Sequence, residues 1–300
     1  MKQNHQTTVT MTETPPTTIF VHILKTAGTT LNAIIERHFP PQRTFATFPV
    51  RHHPDGSIDG FMQLTEQEKA QIDVLYGHMS YGLHAHLPRP ARYLTILRNP
   101  VDRVISRYYH IYRDPHSQLH DEIASGAMDL EKFVIHMAEA GEMDNLQTRM
   151  IAGNWQERGY GPCDEEMLAV AKRNLRDHFE VVGLTERFDE SCLLIQRAFG
   201  WPEMYYTKRN VGRKRPRKAD IPAASLHTVA KYNQMDIELY AYATRLFDEQ
   251  VRQQGSSFAR DVKMFQLKNG RLKPWRKLFW RARKISVRTF IKKQFTAMRR

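Results

Sequence analysis

The 300-residue sequence is short of cysteine, of long apolar runs and of acidic side chains. Its 2 cysteines, Cys163 and Cys192, are far apart and form no CxxC pattern. A disulfide scaffold is therefore excluded, and reduced, buried thiols are expected rather than a redox or zinc role. No apolar stretch approaches the roughly 20 residues that span a bilayer, and MKQNHQTTVTMTETPPTT at the start has no hydrophobic segment of the signal-peptide kind. The expectation is a cytoplasmic chain, peripheral at most on the inner face of a membrane, with neither signal peptide nor transmembrane helix. At 41% hydrophobic residues the chain has enough apolar material for a true core, which excludes a wholly disordered or collagen-like protein.

The acidic shortage amounts to 32 Asp and Glu against 45 Lys and Arg, a net charge of +13. A total of that size points to a polyanion binder only if it is spread over the fold. It is not. Residues 263–300 carry 14 basic side chains and no acidic one, leaving 31 basic against 32 acidic in all that precedes them. The body is neutral, so generic nucleic-acid binding is not expected of it, and the tail requires its own account.

Residues 1–18, rich in Thr and Pro, read as a disordered lead-in, 19–255 as one domain and 256–300 as a basic amphipathic tail. Short β-branched and aromatic runs predict strands at 19–23, 74–76, 93–97 and 181–184. Apolar periodicity predicts a helix after the KTAGTT stretch, another opened by Asn99-Pro100, and more near 130–140, 144–151, 165–178, 188–199 and 235–254. Strands alternating with helices predict an α/β fold: a P-loop-like, three-layer arrangement with a central, mostly parallel sheet flanked by helices, followed by the basic helical tail.

The segment Lys25-Thr26-Ala27-Gly28-Thr29-Thr30 lies where the first strand becomes a helix, so free backbone amides, a lysine and three hydroxyls converge there. Something phosphate-like suits that place, although a capped helix start uses the same residues. A Walker loop reads GxxxxGK[ST], with lysine after the glycines; here Lys25 precedes Gly28, so ATP chemistry is not expected. Further on, Arg98 stands at the end of a strand and Ser106 seven residues after the Asn99 cap, two turns into the next helix. Taken singly, Arg98 reads as a surface ion pair and Ser106 as a helix filler.

His22-Ile23-Leu24-Lys25-Thr26-Ala27-Gly28-Thr29-Thr30-Leu31 resembles the 5′-phosphosulfate loop, usually written HIPKTAGTTL, of the carbohydrate sulfotransferases related to heparan sulfate 2-O-sulfotransferase. Leu97 to Ser106 resembles that family's 3′-phosphate motif, and the stretches 145–150, 182–186 and 210–213 are similar to later family segments in the same order. The resemblance covers 19–254. It implies a donor, 3′-phosphoadenosine 5′-phosphosulfate (PAPS), held at its 5′ end by Lys25, Thr26, Ala27, Gly28, Thr29 and Thr30 and at its 3′-phosphate by Arg98 and Ser106. Asn210 and Arg213, with Lys214 beside them, fall where the family closes a loop over the nucleotide; a solvated basic loop fits them as well. Gly77-His78-Met79-Ser80-Tyr81 is similar to the family's GHVSY segment. By that resemblance His78 is the general base for the acceptor hydroxyl, while Lys25 stabilises the leaving phosphate. The expected acceptor is a hydroxyl of a glycan or glycolipid, and His22 and Arg149 are weaker candidates for touching it. No metal is required: His52, His53, His84 and His86 lack a completing carboxylate or cysteine at ligand spacing.

Three departures from the pattern stand out. Leu24 replaces the usual proline before the lysine, Asn99 stands where aspartate is common, and Tyr76 takes the place of an additional histidine. The last removes the basis for assigning heparan as substrate. In the tail, Trp275, Leu278, Phe279, Ala282, Ile285 and Thr289 recur at helical spacing among Arg276, Lys277, Arg281, Arg283, Lys284 and Arg288. Such a helix suits an anionic membrane surface, where each basic residue contributes about 1 kcal/mol. Capture of an acidic polysaccharide and packing on the domain are the alternatives, with nucleic acid the least expected. A kinase of a small molecule and a non-enzymatic basic binding protein are the competing functional classes.

Overall fold

The computed structural model describes residues 15–50, 53, 56–140, 144–153, 163–206 and 220–270. Its centre is a sheet of β1 (Thr17–Val21), β2 (Thr44–Ala46), β3 (Val74–Gly77), β4 (Ala91–Leu97) and β5 (Phe179–Leu184), in the order β2-β3-β1-β4-β5. Every ladder is parallel, where a mostly parallel sheet was expected. The strands are apolar on both faces because helices cover both; Ile19, Phe20 and Val21 are all fully buried. β1 starts two residues earlier than the Thr-rich sequence suggests. Thr17 pairs with Ala91 and its hydroxyl donates to the Ile72 carbonyl at 2.8 Å, so a polar residue enters the core satisfied. β2 is three residues long, too short to show a period, and was not foreseen.

The helices are α1 (Gly28–His38), α2 (Ile58–Met62), α3 (Glu66–Ala70), α4 (Pro100–Ile111), α5 (His120–Ala124), α6 (Leu130–Glu139), α7 (Leu146–Ala152), α8 (Glu165–Asp177), α9 (Phe188–Phe199), α10 (Ala223–Lys231) and α11 (Gln234–Gln253). A last helix, α12, occupies 258–270. The short α2, α3, α5 and α10 escaped the periodicity argument, and so did α12; the other helices for which bounds were expected fall within one or two residues of them. Asn99 caps α4 as its type suggests, its side-chain oxygen accepting from the Asp102 amide at 3.2 Å.

The main core lies around the sheet and takes in Phe258 and Phe265 of α12. A second core of Val104, Ile105, Phe133 and Val229 sits among α4, α6 and α10. Of the segment 256–300, then, the first part packs on the domain, and 271–300 lies outside the described residues. Among the described residues no helix is long and apolar enough to cross a membrane.

The topology fixes where a ligand can sit. From β1 the chain turns toward β2 and β3; from β4, the strand on the other side of β1, it eventually reaches β5. Connections leaving adjacent strands in opposite directions open a crevice at their carboxyl ends. Lys25, His78, Arg98 and Thr185 all follow directly from that edge of the sheet.

Candidate active site

A cavity of about 440 Å³ opens at the crevice. Its walls include Lys25, Ala27, Gly28, Thr29, Thr30, His78, Arg98 and Ser106, which brings together most of the residues singled out from the sequence. Among the described residues three basic side chains, Lys25, Arg98 and Arg107, line it, and no carboxylate does.

The loop between β1 and α1 is shaped for an anion. Lys25 and Ala27 both have left-handed backbones, with φ of 71° and 66°, a conformation costing a non-glycine residue about 1 kcal/mol. Ala27 is the N-cap of α1 and offers no side-chain acceptor, so no side chain caps the helix's first amides, and no acidic residue occupies its first turn. Thr26 turns the other way: it is fully buried and its hydroxyl donates to the Ile23 carbonyl at 2.8 Å, holding the loop rather than facing the cavity. Gly28 is required by close approach. A Cβ there would lie 1.8 Å from Cδ2 of His22 and 1.9 Å from Nε2, inside the ring that packs over it.

Lys25 is mostly enclosed, and among the described residues no carboxylate pairs with it. Burial, reinforced by the positive charges of Arg107, Arg113 and Arg98, pushes its ammonium down to about 8. Arg98 meets the loop from the other side, its Nη1 donating to the Lys25 carbonyl at 3.0 Å. Its backbone is held by Gln147, which accepts from the Arg98 amide at 2.9 Å and donates to the Arg98 carbonyl at 3.0 Å.

His78 enters from the end of β3. Its Nδ1 lies 2.8 Å from the His22 carbonyl oxygen. A carbonyl only accepts, so Nδ1 carries the proton and neutral His78 presents Nε2 as a free base. Burial lowers its pKa, the bond to His22 opposes that shift and Arg107 adds to it, so the ring is neutral near pH 7. The His22 and His78 rings stand 4.3 Å apart. His22 is buried and held well below the usual histidine range by burial, His78 and Lys25. It lines the cavity.

Arg149 does not reach the cavity; it is buried and paired with Asp144 at 2.6 Å. Tyr76 is also buried, against Phe48. Asn210, Arg213 and Lys214 lie outside the described residues. Sequence reasoning missed Arg107 and His110 of α4, and the wall formed by Thr185, Phe188 and Tyr206. The first two were visible as a polar stripe, 103, 106, 107 and 110, on a helix whose other face carries Val101, Val104, Ile105 and Tyr108. The wall has no such signal: Tyr206 is placed by Asn269 of α12, which accepts from its amide at 2.8 Å across 63 residues of chain.

The model of a family described as galactose-3-O-sulfotransferase matches residues 3–277. Human galactose-3-O-sulfotransferase 3 is 26% identical over 256 residues, covering 80% of this chain and 58% of its own length. Human heparan sulfate 2-O-sulfotransferase 1 is 24% identical over 206 residues, covering 61% of this chain and 55% of its own. The chain spans a little over half the length of these two relatives. The solved mouse sulfotransferase SULT7A1 complexed with PAP aligns over 84% of this chain and 90% of its own, at 14% identity and a TM-score of 0.34, too loose a superposition to carry residue roles or a ligand across.

Proposed function

Because the chain belongs to the galactose-3-O-sulfotransferase family, we propose that its cavity transfers a sulfuryl group from PAPS to a hydroxyl of a carbohydrate. The observation that carries this reading is a cavity lined, among the described residues, by three basic side chains and no carboxylate, with a helix start that no side chain caps, beside a histidine whose Nδ1 is bonded to a carbonyl. A donor with a phosphosulfate at one end and a phosphate at the other is complementary to those groups. Lys25 and the loop amides of residues 26–30 hold the 5′ end; Arg98 and Ser106, with Arg107 beside them, take the 3′-phosphate. Phe188 and Tyr206, edge to face at 4.8 Å, offer the adenine an apolar wall. Asn210 and Arg213 belong to this reading as the closing loop.

In the transfer, the acceptor oxygen attacks sulfur as the bond from sulfur to the bridging phosphate oxygen breaks. The hydroxyl proton passes to Nε2 of His78, and Lys25 stabilises the charge that gathers on the leaving 5′-phosphate. The products are the sulfate ester and adenosine 3′,5′-bisphosphate (PAP). A glycan or glycolipid acceptor is supported by relatives named for galactose and for heparan sulfate. The kinase alternative has little support: Lys25 precedes its glycine, and two separate basic arms suit a donor charged at both ends. The cytoplasmic location stays within this reading, supported by Cys163 and Cys192, both free thiols.

The test is incubation with sulfur-labelled PAPS and a panel of galactose-terminated and acidic glycans. Labelled product with the wild type and none with Lys25→Ala is the expected result; no product and no PAP binding would overturn it. The tail is proposed to hold an anionic membrane surface through its basic residues in 263–300. Co-sedimentation with phosphatidylserine vesicles should weaken with salt and vanish on truncation after Gly270; equal binding by the truncated chain rules that out.

A further inference from the structure

We infer that Gln147, a fully buried residue outside the lining of the cavity, is a positioning residue that aims Arg98 at the donor's 3′-phosphate. The inference rests on the sulfotransferase reading and assigns its nucleotide selectivity to a second layer of side chains.

β4 ends at Leu97, whose carbonyl still accepts from the Thr185 amide at 2.8 Å in continuation of the β5 ladder. One residue later the chain leaves the sheet, and Arg98 has no strand to pair with. Gln147 takes that role. Its Oε1 accepts from the Arg98 amide at 2.9 Å and its Nε2 donates to the Arg98 carbonyl at 3.0 Å. A primary amide is the side-chain group that supplies both an acceptor and a donor in one plane, as a neighbouring peptide would. Because Gln147 is 0% exposed, water does not compete for either bond. With the Arg98 backbone fixed at both polar atoms, its guanidinium is delivered to the Lys25 carbonyl and the cavity.

Gln147 is itself fixed from behind. It sits in the first turn of α7, whose amides at Gln147 and Thr148 donate to the Asp236 carboxylate of α11 at 3.1 and 2.7 Å. The Thr148 hydroxyl donates to the same carboxylate at 2.9 Å, and Asn145 accepts from the Asp236 amide at 3.1 Å. Asp236 also faces Arg103 of α4 at 3.7 Å, both side chains being 0% exposed. Arg103 lies one turn before Ser106 on the helix that carries the other half of the 3′-phosphate arm. One buried carboxylate therefore ties together α7, which holds the Arg98 backbone, and α4, which carries Ser106 and Arg107.

The experiment separates aiming from mere packing by comparing two nucleotides. PAP carries the 3′-phosphate, and 5′-AMP is the same nucleotide without it. Affinities for both are measured by calorimetry on the wild type, on Gln147→Met, which keeps the length and loses both bonds, and on Gln147→Glu, which keeps only the acceptor. Displacing a guanidinium by a fraction of an ångström predicts PAP binding weakened about tenfold or more in Gln147→Met, with AMP binding within about twofold of wild type and the Glu variant between them. Unchanged PAP binding, or equal weakening toward both nucleotides, overturns the inference and leaves Gln147 a packing residue. A wild type that binds PAP no better than AMP overturns the sulfotransferase reading itself, and the inference with it.

Discussion

The two basic arms of the cavity meet where Arg98 Nη1 donates to the Lys25 carbonyl, and are built on opposite plans. On the arginine side every element is tied down: Gln147 holds the Arg98 backbone, Asp236 holds Gln147, and Arg103 faces Asp236 from the helix that carries Ser106. On the lysine side the backbone is bent through two left-handed non-glycine residues, the helix start has no side-chain cap, and the ammonium is pushed down to about 8 by its surroundings. On the proposed reading, the rigid arm takes the 3′-phosphate, which does not change during the reaction, and the strained arm takes the 5′ end, where charge develops.

That comparison can be broken in several places. The largest effect is expected for Lys25→Ala, a loss of about a thousandfold in kcat/KM for labelled-sulfur transfer, since it removes the cation at the leaving oxygen. A loss below tenfold would move the leaving-group role elsewhere. His78→Ala should lower kcat about a hundredfold while leaving PAP affinity as in the wild type; weakened PAP binding would make His78 part of the donor site instead. Gly28→Ala forces the His22 ring off the loop, and should weaken both PAP and AMP because it damages the lysine arm, in contrast to Gln147→Met. If Gly28→Ala left AMP binding intact, the two arms would not be separable as described.

The pH dependence gives a smaller and sharper contrast. Lys25 must be protonated to hold the phosphosulfate, and its pKa is depressed to about 8, so kcat/KM should fall as pH rises through about 8 and PAP should bind with proton uptake there. His78 must be neutral, and its pKa lies below the ordinary 6.5, so the acid limb should appear only below that value. Lys25→Arg should remove the alkaline limb and keep the acid one.

The lysine arm was legible in the sequence because it is contiguous: strand, lysine, glycine and helix follow one another within a dozen residues. Arg98 and Ser106 were legible through the resemblance of Leu97 to Ser106 to a family motif, and both line the cavity. His78 rested on the resemblance of Gly77 to Tyr81 to a family segment, and its side chain lines the cavity. What held Arg98 was not legible. Gln147 is 49 residues away, and a glutamine in an amphipathic helix carries no mark of acting as a strand. Arg107 and His110 were written in the polar stripe of α4, yet a search for single motif positions passes over neighbours of Ser106. The short α2, α3, α5 and α10 fall below the length at which periodicity speaks.

The central claim is that this cavity moves sulfur, not phosphorus, from a nucleotide charged at both ends. The most direct measurement supplies the wild type with a galactose-terminated and an acidic glycan in parallel, once with sulfur-labelled PAPS and once with ATP labelled at its terminal phosphorus. Sulfur label on a glycan, matched by release of PAP and absent with Lys25→Ala, with no phosphorus label on either glycan, is the predicted result. Phosphorus label on a glycan, or sulfur transfer that survives Lys25→Ala undiminished, would contradict it.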